Sequence, residues 1–417
     1  MSQQRNGVVS ILQEFSLPLL AGVAVALLAA NLAPDWYHTV IEGQPFGDLS
    51  LFGHVLTVHF LVNDIFMVFF FGIAAKEITE SCLPGGALNP PAKAVNPLLA
   101  TFGGVIGPVA VFFIGLSLLY QTGVYEPALH DRAALARGWG VPTATDIALA
   151  WLVARTVFGK GHPAVNFLLL LAVVDDAIGL AIIAIFYGDP VNPARPEFLG
   201  LVLAGMALAY ALRRMGVRHW VPYIALAGPL SWSGLILARL HPALALVVIV
   251  PFLPGPRRDT GLFRGRDEVD IMGEPLAHDL HMEHSALHQF EQQLKLFVDF
   301  GLFFFSFANA GVELAGIGPM TWLILASLVI GKTIGVTAMG WLATKAGFPL
   351  PARMGMRELV MAGFVAALGL TVALFVAGAA FVDPELLGEG KMGALFSGFV
   401  GLAAILIGRL LRMGRQE

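Results

Sequence analysis

The chain has 417 residues, of which 57% are hydrophobic and only 13% charged, and its mean hydropathy is +0.76. These values lie far outside the range of soluble domains and exclude a water-soluble protein. A net charge of −4 argues against a nucleic-acid partner, and the single cysteine, Cys82, excludes an intrachain disulfide or a thiolate metal cluster.

The N-terminus carries one basic residue, Arg5, then an amphipathic stretch at 8–15. No small-residue cleavage site closes a short apolar region there, so this end is expected to remain uncleaved. Apolar runs then predict about twelve spanning helices, at 15–34, 58–79, 94–119, 140–157, 164–187, 198–213, 221–238, 241–254, 287–313, 319–344, 357–381 and 391–411. The expected fold is an all-α integral membrane protein, one polytopic domain over 1–417. Alternating the turns puts Arg155, Lys160, Arg213, Arg214, Arg218, Arg257, Arg258, Arg264, Arg266, Lys345, Arg353, Arg409, Arg412 and Arg415 on one side. The other side holds chiefly Arg132, Arg137, Arg195, Arg239 and Lys391, so the positive-inside rule places both termini in the cytoplasm. The sizeable polar loop at 256–284 is then cytoplasmic as well.

Two spans carry helix breakers. The string Gly140-Val-Pro-Thr-Ala-Thr-Asp-Ile147 puts Pro142, two threonines and Asp146 at mid-span, and Gly363, Gly369 and Thr371 interrupt 357–381. Proline removes a helix hydrogen bond and glycine weakens a helix, so each span can contain an unwound turn lining a cavity. The same spacing also fits a proline kink in one helix and close glycine packing in the other. Paired interruptions in separate parts of a chain are the pattern of an inverted-repeat transporter.

Ionisable residues in the apolar runs mark candidate function. Asp175 and Asp176 stand together inside 164–187. Each carboxylate at the centre of a spanning helix costs roughly 2.5–3.5 kcal/mol, so the pair should face an ion path, a water cavity or an opposite charge. The bland alternative, an acidic pair at the frayed end of a core helix, conflicts with the uncharged apolar residues on both sides. Lys332 is alone in the apolar segment 322–342, too far from either end to snorkel easily. Asp146 has the sign to offset half-helix N-termini, and Lys332 the sign to offset C-termini or pair with a carboxylate. With Thr145 these groups form an oxygen-rich set that suits a hard cation such as sodium or lithium. The same carboxylates bind protons, and a site that takes either a cation or protons is an exchanger.

Five strings carry a family likeness: Ala-Thr-Asp-Ile-Ala at 144–148, Val-Val-Asp-Asp-Ala at 173–177, Ala-Asn-Ala-Gly-Val at 308–312, Gly-Lys-Thr-Ile-Gly at 331–335 and Val-Asp-Pro-Glu-Leu at 382–386. In that order the chain resembles the NhaA family of sodium/proton antiporters, from about Asp64 to the last span. The resemblance implies twelve helices with inverted repeats, two discontinuous helices crossing at mid-membrane, and an inner-membrane protein of bacteria that expels Na+ or Li+ in exchange for H+. It implies that Asp175 and Asp176 bind the ion, that Lys332 partners Asp175, and that Thr145 and Asp146 sit at the crossing. Asp64 resembles the family's acidic residue of the second span. No resident cofactor and no enzymatic activity are implied, and the segment Gly47-Asp-Leu-Ser-Leu-Phe-Gly53 sits where some members form a dimer hairpin, which suggests a homodimer.

The chain also departs from the family pattern. At the acidic funnel the turn reads Gly72-Ile-Ala-Ala-Lys76-Glu77-Ile, with Glu77 and Glu80 displaced, and before the ninth span the sequence reads His288-Gln-Phe-Glu291-Gln-Gln, with Asp299 close by. Glu77, Glu80, Glu291 and Asp299 are expected as solvated or interfacial charges more than as pH sensors. The leading expectation is an electrogenic antiporter exchanging one Na+ or Li+ for two protons. The nearest alternative is a sodium-coupled organic-anion symporter of related fold, which would need a larger polar cavity. An intramembrane aspartyl protease lacks its Gly-x-Gly-Asp and Tyr-Asp strings here, and about twelve spans are too many for a retinal pump.

Overall fold

The computed structural model describes residues 16–413 apart from 84–85, 90, 127, 129, 189–192 and 256–284. The stretch at 8–15 and the loop at 256–284 lie outside the described residues. The protein is a multi-pass, mostly helical membrane protein. Among the described residues six helices are long and apolar enough to cross a bilayer, or eight if each of two bent pairs is one span.

In chain order the elements are α1 (Leu17–Leu32), α2 (Pro34–Ile41), a hairpin of β1 (Ser50–Leu51) and β2 (His54–Val55), α3 (Val58–Cys82), α4 (Pro91–Gln121) and α5 (Arg132–Ala136). There follow α6 (Ile147–Phe158), α7 (Pro163–Phe186), α8 (Leu199–Arg214), α9 (Gly228–Leu237), α10 (Ala286–Asn309), α11 (Pro319–Lys345), α12 (Met356–Val365), α13 (Leu370–Ala380), α14 (Pro384–Phe396) and α15 (Gly398–Leu410). Prolines open α2, α4, α7, α11 and α14, where the missing N–H has no helical partner to lose. Aspartates cap several starts. Asp383 accepts from Glu385 N and Leu386 N at 3.0 Å each, so the Val-Asp-Pro-Glu-Leu string is a cap followed by a first-turn proline.

One expected span is not a helix. Residues 241–254 form tight turns with two short 3-10 segments, Pro242–Leu244 and Val250–Phe252. Pro242, Pro251 and Pro254 deny it the amides a continuous helix requires.

The chain divides into two compact units, each built from separated segments. The first comprises the residues up to Ile41, Val95–Ile183 and Leu302 onward. Its most enclosed unbroken span is α7, where Phe167, Leu168, Leu171 and Ile183 are all buried. On α4, large apolar side chains such as Ile106, Ile114 and Leu118 stay exposed, as a lipid-facing helix requires. Between these exposed side chains α4 meets α11 glycine to glycine. A Cβ at Gly103 or Gly107 would strike the backbone of Gly335 or Gly331, and the reverse holds. Small residues four apart allow such close approach within a membrane.

The second unit comprises Glu42–Ala94 and Ala184–Gly301. Its hairpin pairs Ser50 with Val55 and Leu51 with His54. The intervening Phe52 and Gly53 have φ of 52° and 86°, the double positive φ of a type I′ turn. A small cluster of Leu56, Phe60 and Ile236, flanked by Trp232, packs beneath it.

Candidate functional site

Two helices of the first unit are broken, and the breaks meet. The run from α5 continues as a 3-10 helix, Arg137–Thr143, and stops at Pro142 and Thr143; α6 resumes at Ile147 with a bend of 48°. The second break lies between α12 and α13, also at 48°. Gly369 stands at the N-cap of α13. Gly363 is inside α12, where it packs against the Thr333 backbone, so it serves helix contact and not the break.

Asp146 N donates to Leu368 O at 2.6 Å, tying one unwound turn to the other. The carboxylate of Asp146 caps both resumed helices. Its Oδ1 accepts from Leu149 N at 3.1 Å, and its Oδ2 accepts from Thr371 N at 3.3 Å and Thr371 Oγ1 at 2.8 Å. Two positive helix starts converge there, and one negative group answers both. Ser397 supports the same turn by accepting from Gly369 N at 3.1 Å.

The opposite charge sits on the neighbouring atoms. Lys332, the last residue of a π-helical turn (Ser327–Lys332) within α11, and Asp175 on α7 form an ion pair with both side chains fully buried. Lys332 Nζ also donates to Thr145 Oγ1 at 2.7 Å. Thr145 Oγ1 lies 2.7 Å from Asp175 Oδ2 and 2.8 Å from Ala366 O, the carbonyl just past the end of α12. A hydroxyl has one proton, so it serves one of these acceptors at a time. The lysine charge thereby reaches the negative end of a half-helix through the threonine.

Asp176 is 8% exposed and within electrostatic reach of Lys332. Successive residues on a helix point about 100° apart, so Asp175 engages the lysine while Asp176 is turned to an adjacent direction. Asp175 Oδ1 is buried and has no hydrogen-bond partner among the described residues. A buried carboxylate oxygen with spare acceptor capacity fits a hard cation that sheds its water. Among the described residues no group of three or more His, Cys, Asp or Glu side chains is arranged to hold a metal. The oxygen set here is two carboxylates with hydroxyl and carbonyl groups, which suits a transported monovalent ion.

The chemistry-bearing part of the chain is thus two interrupted helices joined at Asp146 and faced by a lysine and two aspartates. Against that geometry, the family described as Na+/H+ antiporter 1 matches residues 10–411. The chain belongs to this family. Relatives agree: the Na(+)/H(+) antiporter NhaA of Geobacter sulfurreducens is 56% identical over 407 residues, covering 98% of each chain. That of Desulfitobacterium hafniense (strain DSM 10664 / DCB-2) is 55% identical over 412 residues, covering 99% of this chain and 97% of its own. That of Jannaschia sp. is 40% identical over 435 residues, covering 97% of each. Membership makes the protein a transporter in kind.

The structure brings Thr145, Asp146, Asp175, Asp176 and Lys332 together in the first unit. Asp64, Glu77 and Glu80 belong to the second. Asp64 lies in a π-helical turn, Leu61–Phe66; its carbonyl accepts from Trp232 Nε1 at 2.7 Å, and its carboxylate is 3.9 Å from His241 Nδ1. Glu80 and Glu291 are not solvated charges. Both pair with Lys76, and Glu291 also meets Lys295 at 3.5 Å, with the Glu80 and Glu291 side chains only 13% and 18% exposed. Spacing of four residues on a helix puts Lys76 over Glu80 and Glu291 over Lys295. Glu77 lies within electrostatic reach of Lys76 and Glu291, and Asp299 of Lys295. Sequence reasoning missed Lys76 as the centre of this set, and it missed Thr371 as a partner of Asp146.

Proposed function

We propose that the protein is an electrogenic antiporter of the bacterial inner membrane that exchanges one cytoplasmic Na+ or Li+ for two external protons by alternating access, in the service of pH and sodium homeostasis. The observation that carries this reading is the buried Lys332–Asp175 pair beside Thr145 and Asp176. In the cation-free state the ammonium neutralises Asp175 and Asp176 holds a proton. A cation that reaches the two carboxylates competes with both. It takes the oxygens of Asp176 and Asp175, Lys332 gives up its proton, and two protons leave for one positive charge gained. Thr145 and Asp146 supply further oxygens and hold the crossing. Unwound backbone at both breaks lets the ion meet carbonyl oxygens where a regular helix would present none.

The excess of basic residues in the loops on one side supports a cytoplasmic position for both termini. The hairpin at Ser50–Val55, with Phe46, Leu49 and Phe52 exposed, supports association with a second copy.

The test is a ΔpH assay in everted vesicles or proteoliposomes, with Na+, Li+ and K+ added in turn across a pH series. Collapse of ΔpH on adding Na+ or Li+ is expected. No response to any of the three would remove the reading.

A further inference from the structure

Glu389 lies in α14 and is only 6% exposed. A carboxylate inside a spanning segment requires a partner or a task. Its partner is the start of α11. Glu389 Oε2 accepts from Met320 N at 2.6 Å, and Thr321 Oγ1 donates to Glu389 O at 3.0 Å while accepting from Gly318 N at 3.3 Å. A Cβ at Gly318 would strike the carboxylate, so Glu389 is seated directly on the helix-start backbone. At Gly393, on the same helix, a Cβ would come within 2.8 Å of Thr321 O.

Tyr125 closes the third side. It is 3% exposed, and its hydroxyl is buried with no hydrogen bond among the described residues. Burial first and the Glu389 carboxylate second push its phenol above the usual range, with the Met320 amide opposing. Glu385 and Asp383, from the first turn and cap of its own helix, also act on Glu389. The facing turn of α11, Pro-Met-Thr-Trp-Leu-Ile-Leu-Ala, brings no charge.

From Met320 the helix continues through the π-helical turn at Ser327–Lys332 as far as Lys332, at most about 18 Å at the α-helical rise of 1.5 Å per residue. The anchored end therefore sets the height at which the ammonium meets Asp175. We propose that Glu389, closed in by Tyr125, is a positioning residue that clamps the start of α11 and holds Lys332 in register with Asp175, a role that rests on the antiport reading above. A looser clamp weakens the ion pair, and an ammonium with a weaker carboxylate partner gives up its proton more readily. The cation then competes at lower pH.

Full-length Glu389→Gln keeps the shape and removes the charge. In proteoliposomes its pH of half-maximal Na+-driven exchange should move to the acid side by about half a unit. Deuterium uptake over 319–332 should rise about two- to threefold, as for a locally loosened helix. Glu389→Ala, which removes the acceptor of the Met320 amide altogether, should shift both in the same direction. A Glu389→Gln protein with wild-type uptake, or with only its maximal rate lowered and an unmoved pH midpoint, overturns the proposal. If Glu389→Ala does not fold, Glu389→Gln alone decides. The uptake measurement is independent of transport: a wild type without exchange defeats the antiport reading, whereas unchanged uptake in Glu389→Gln defeats the clamp.

Discussion

Asp146 and Thr371 stand on different broken helices, yet Asp146 Oδ2 accepts from both the amide and the hydroxyl of Thr371, at 3.3 and 2.8 Å. The other oxygen of Asp146 caps its own helix at Leu149 N. A break in a membrane helix exposes amides that lipid cannot satisfy, and here the two breaks solve that problem jointly. The carbonyl side is treated in the same way, through Thr145 Oγ1 and Ala366 O, with Lys332 behind the threonine.

Asp146→Ala should therefore cost two helix caps at once. At about 1 kcal/mol for each lost cap, and more for the buried amide left behind, a destabilisation of about 2–4 kcal/mol is expected. Asp146→Asn keeps an acceptor and should fall between. Thermal unfolding of the purified proteins in detergent measures the series; an alanine variant as stable as wild type would mean that water or other groups cap these helices.

Much of this site is legible in the sequence because charges inside apolar spans stand out. Asp175 and Asp176 stand out by the cost of a charge in an apolar span, Lys332 by its isolation in one, and Asp146 by its place at a break and its sign. Pro142 and Gly369 mark the two breaks. Gly363 does not, since a glycine signals close packing as readily as a turn. The apolar run at 241–254 reads as a span because hydropathy does not distinguish a helix from buried tight turns, although its prolines carried the signal. Lys76 and Glu291 are 215 residues apart in the chain, and no local pattern announces such a pair. Glu389 was passed over for a related reason, because its partner is a backbone amide near Gly318, and an amide leaves no mark in the sequence.

Asp176→Asn should abolish exchange while leaving membrane insertion intact. The variant loses the charged oxygen that would replace water around the cation, and removing a membrane charge does not burden the fold. Asp175→Asn should be milder for binding and should weaken proton coupling. Near-wild-type Na+-dependent exchange by Asp176→Asn would rule out the assignment.

Protons and Na+ compete for the same carboxylates, so apparent Na+ affinity should fall as pH drops. The slope approaches about tenfold per pH unit for each proton displaced. Initial rates at graded Na+ concentrations from pH 6.5 to 8.5 give this slope directly. A flat profile argues for separate ion and proton sites.

Lys332→Gln tests the origin of the charge movement. The ammonium is fully buried against Asp175, and removing one partner of a buried pair typically costs about 3–5 kcal/mol, because the other is left without its counter-charge. A clear loss of thermal stability is therefore expected. Transport should change in kind as well as in rate. With the lysine gone, Asp176 remains able to exchange one proton for one Na+, so residual activity should be electroneutral, whereas the wild type should respond to an imposed potential. Exchange measured with and without a potassium/valinomycin clamp separates the cases. Wild-type exchange that ignores the potential refutes two protons per ion. A Lys332→Gln protein with unchanged voltage response and unchanged melting temperature would make the lysine a counter-charge to the half-helix end at Ala366, with the second proton carried elsewhere.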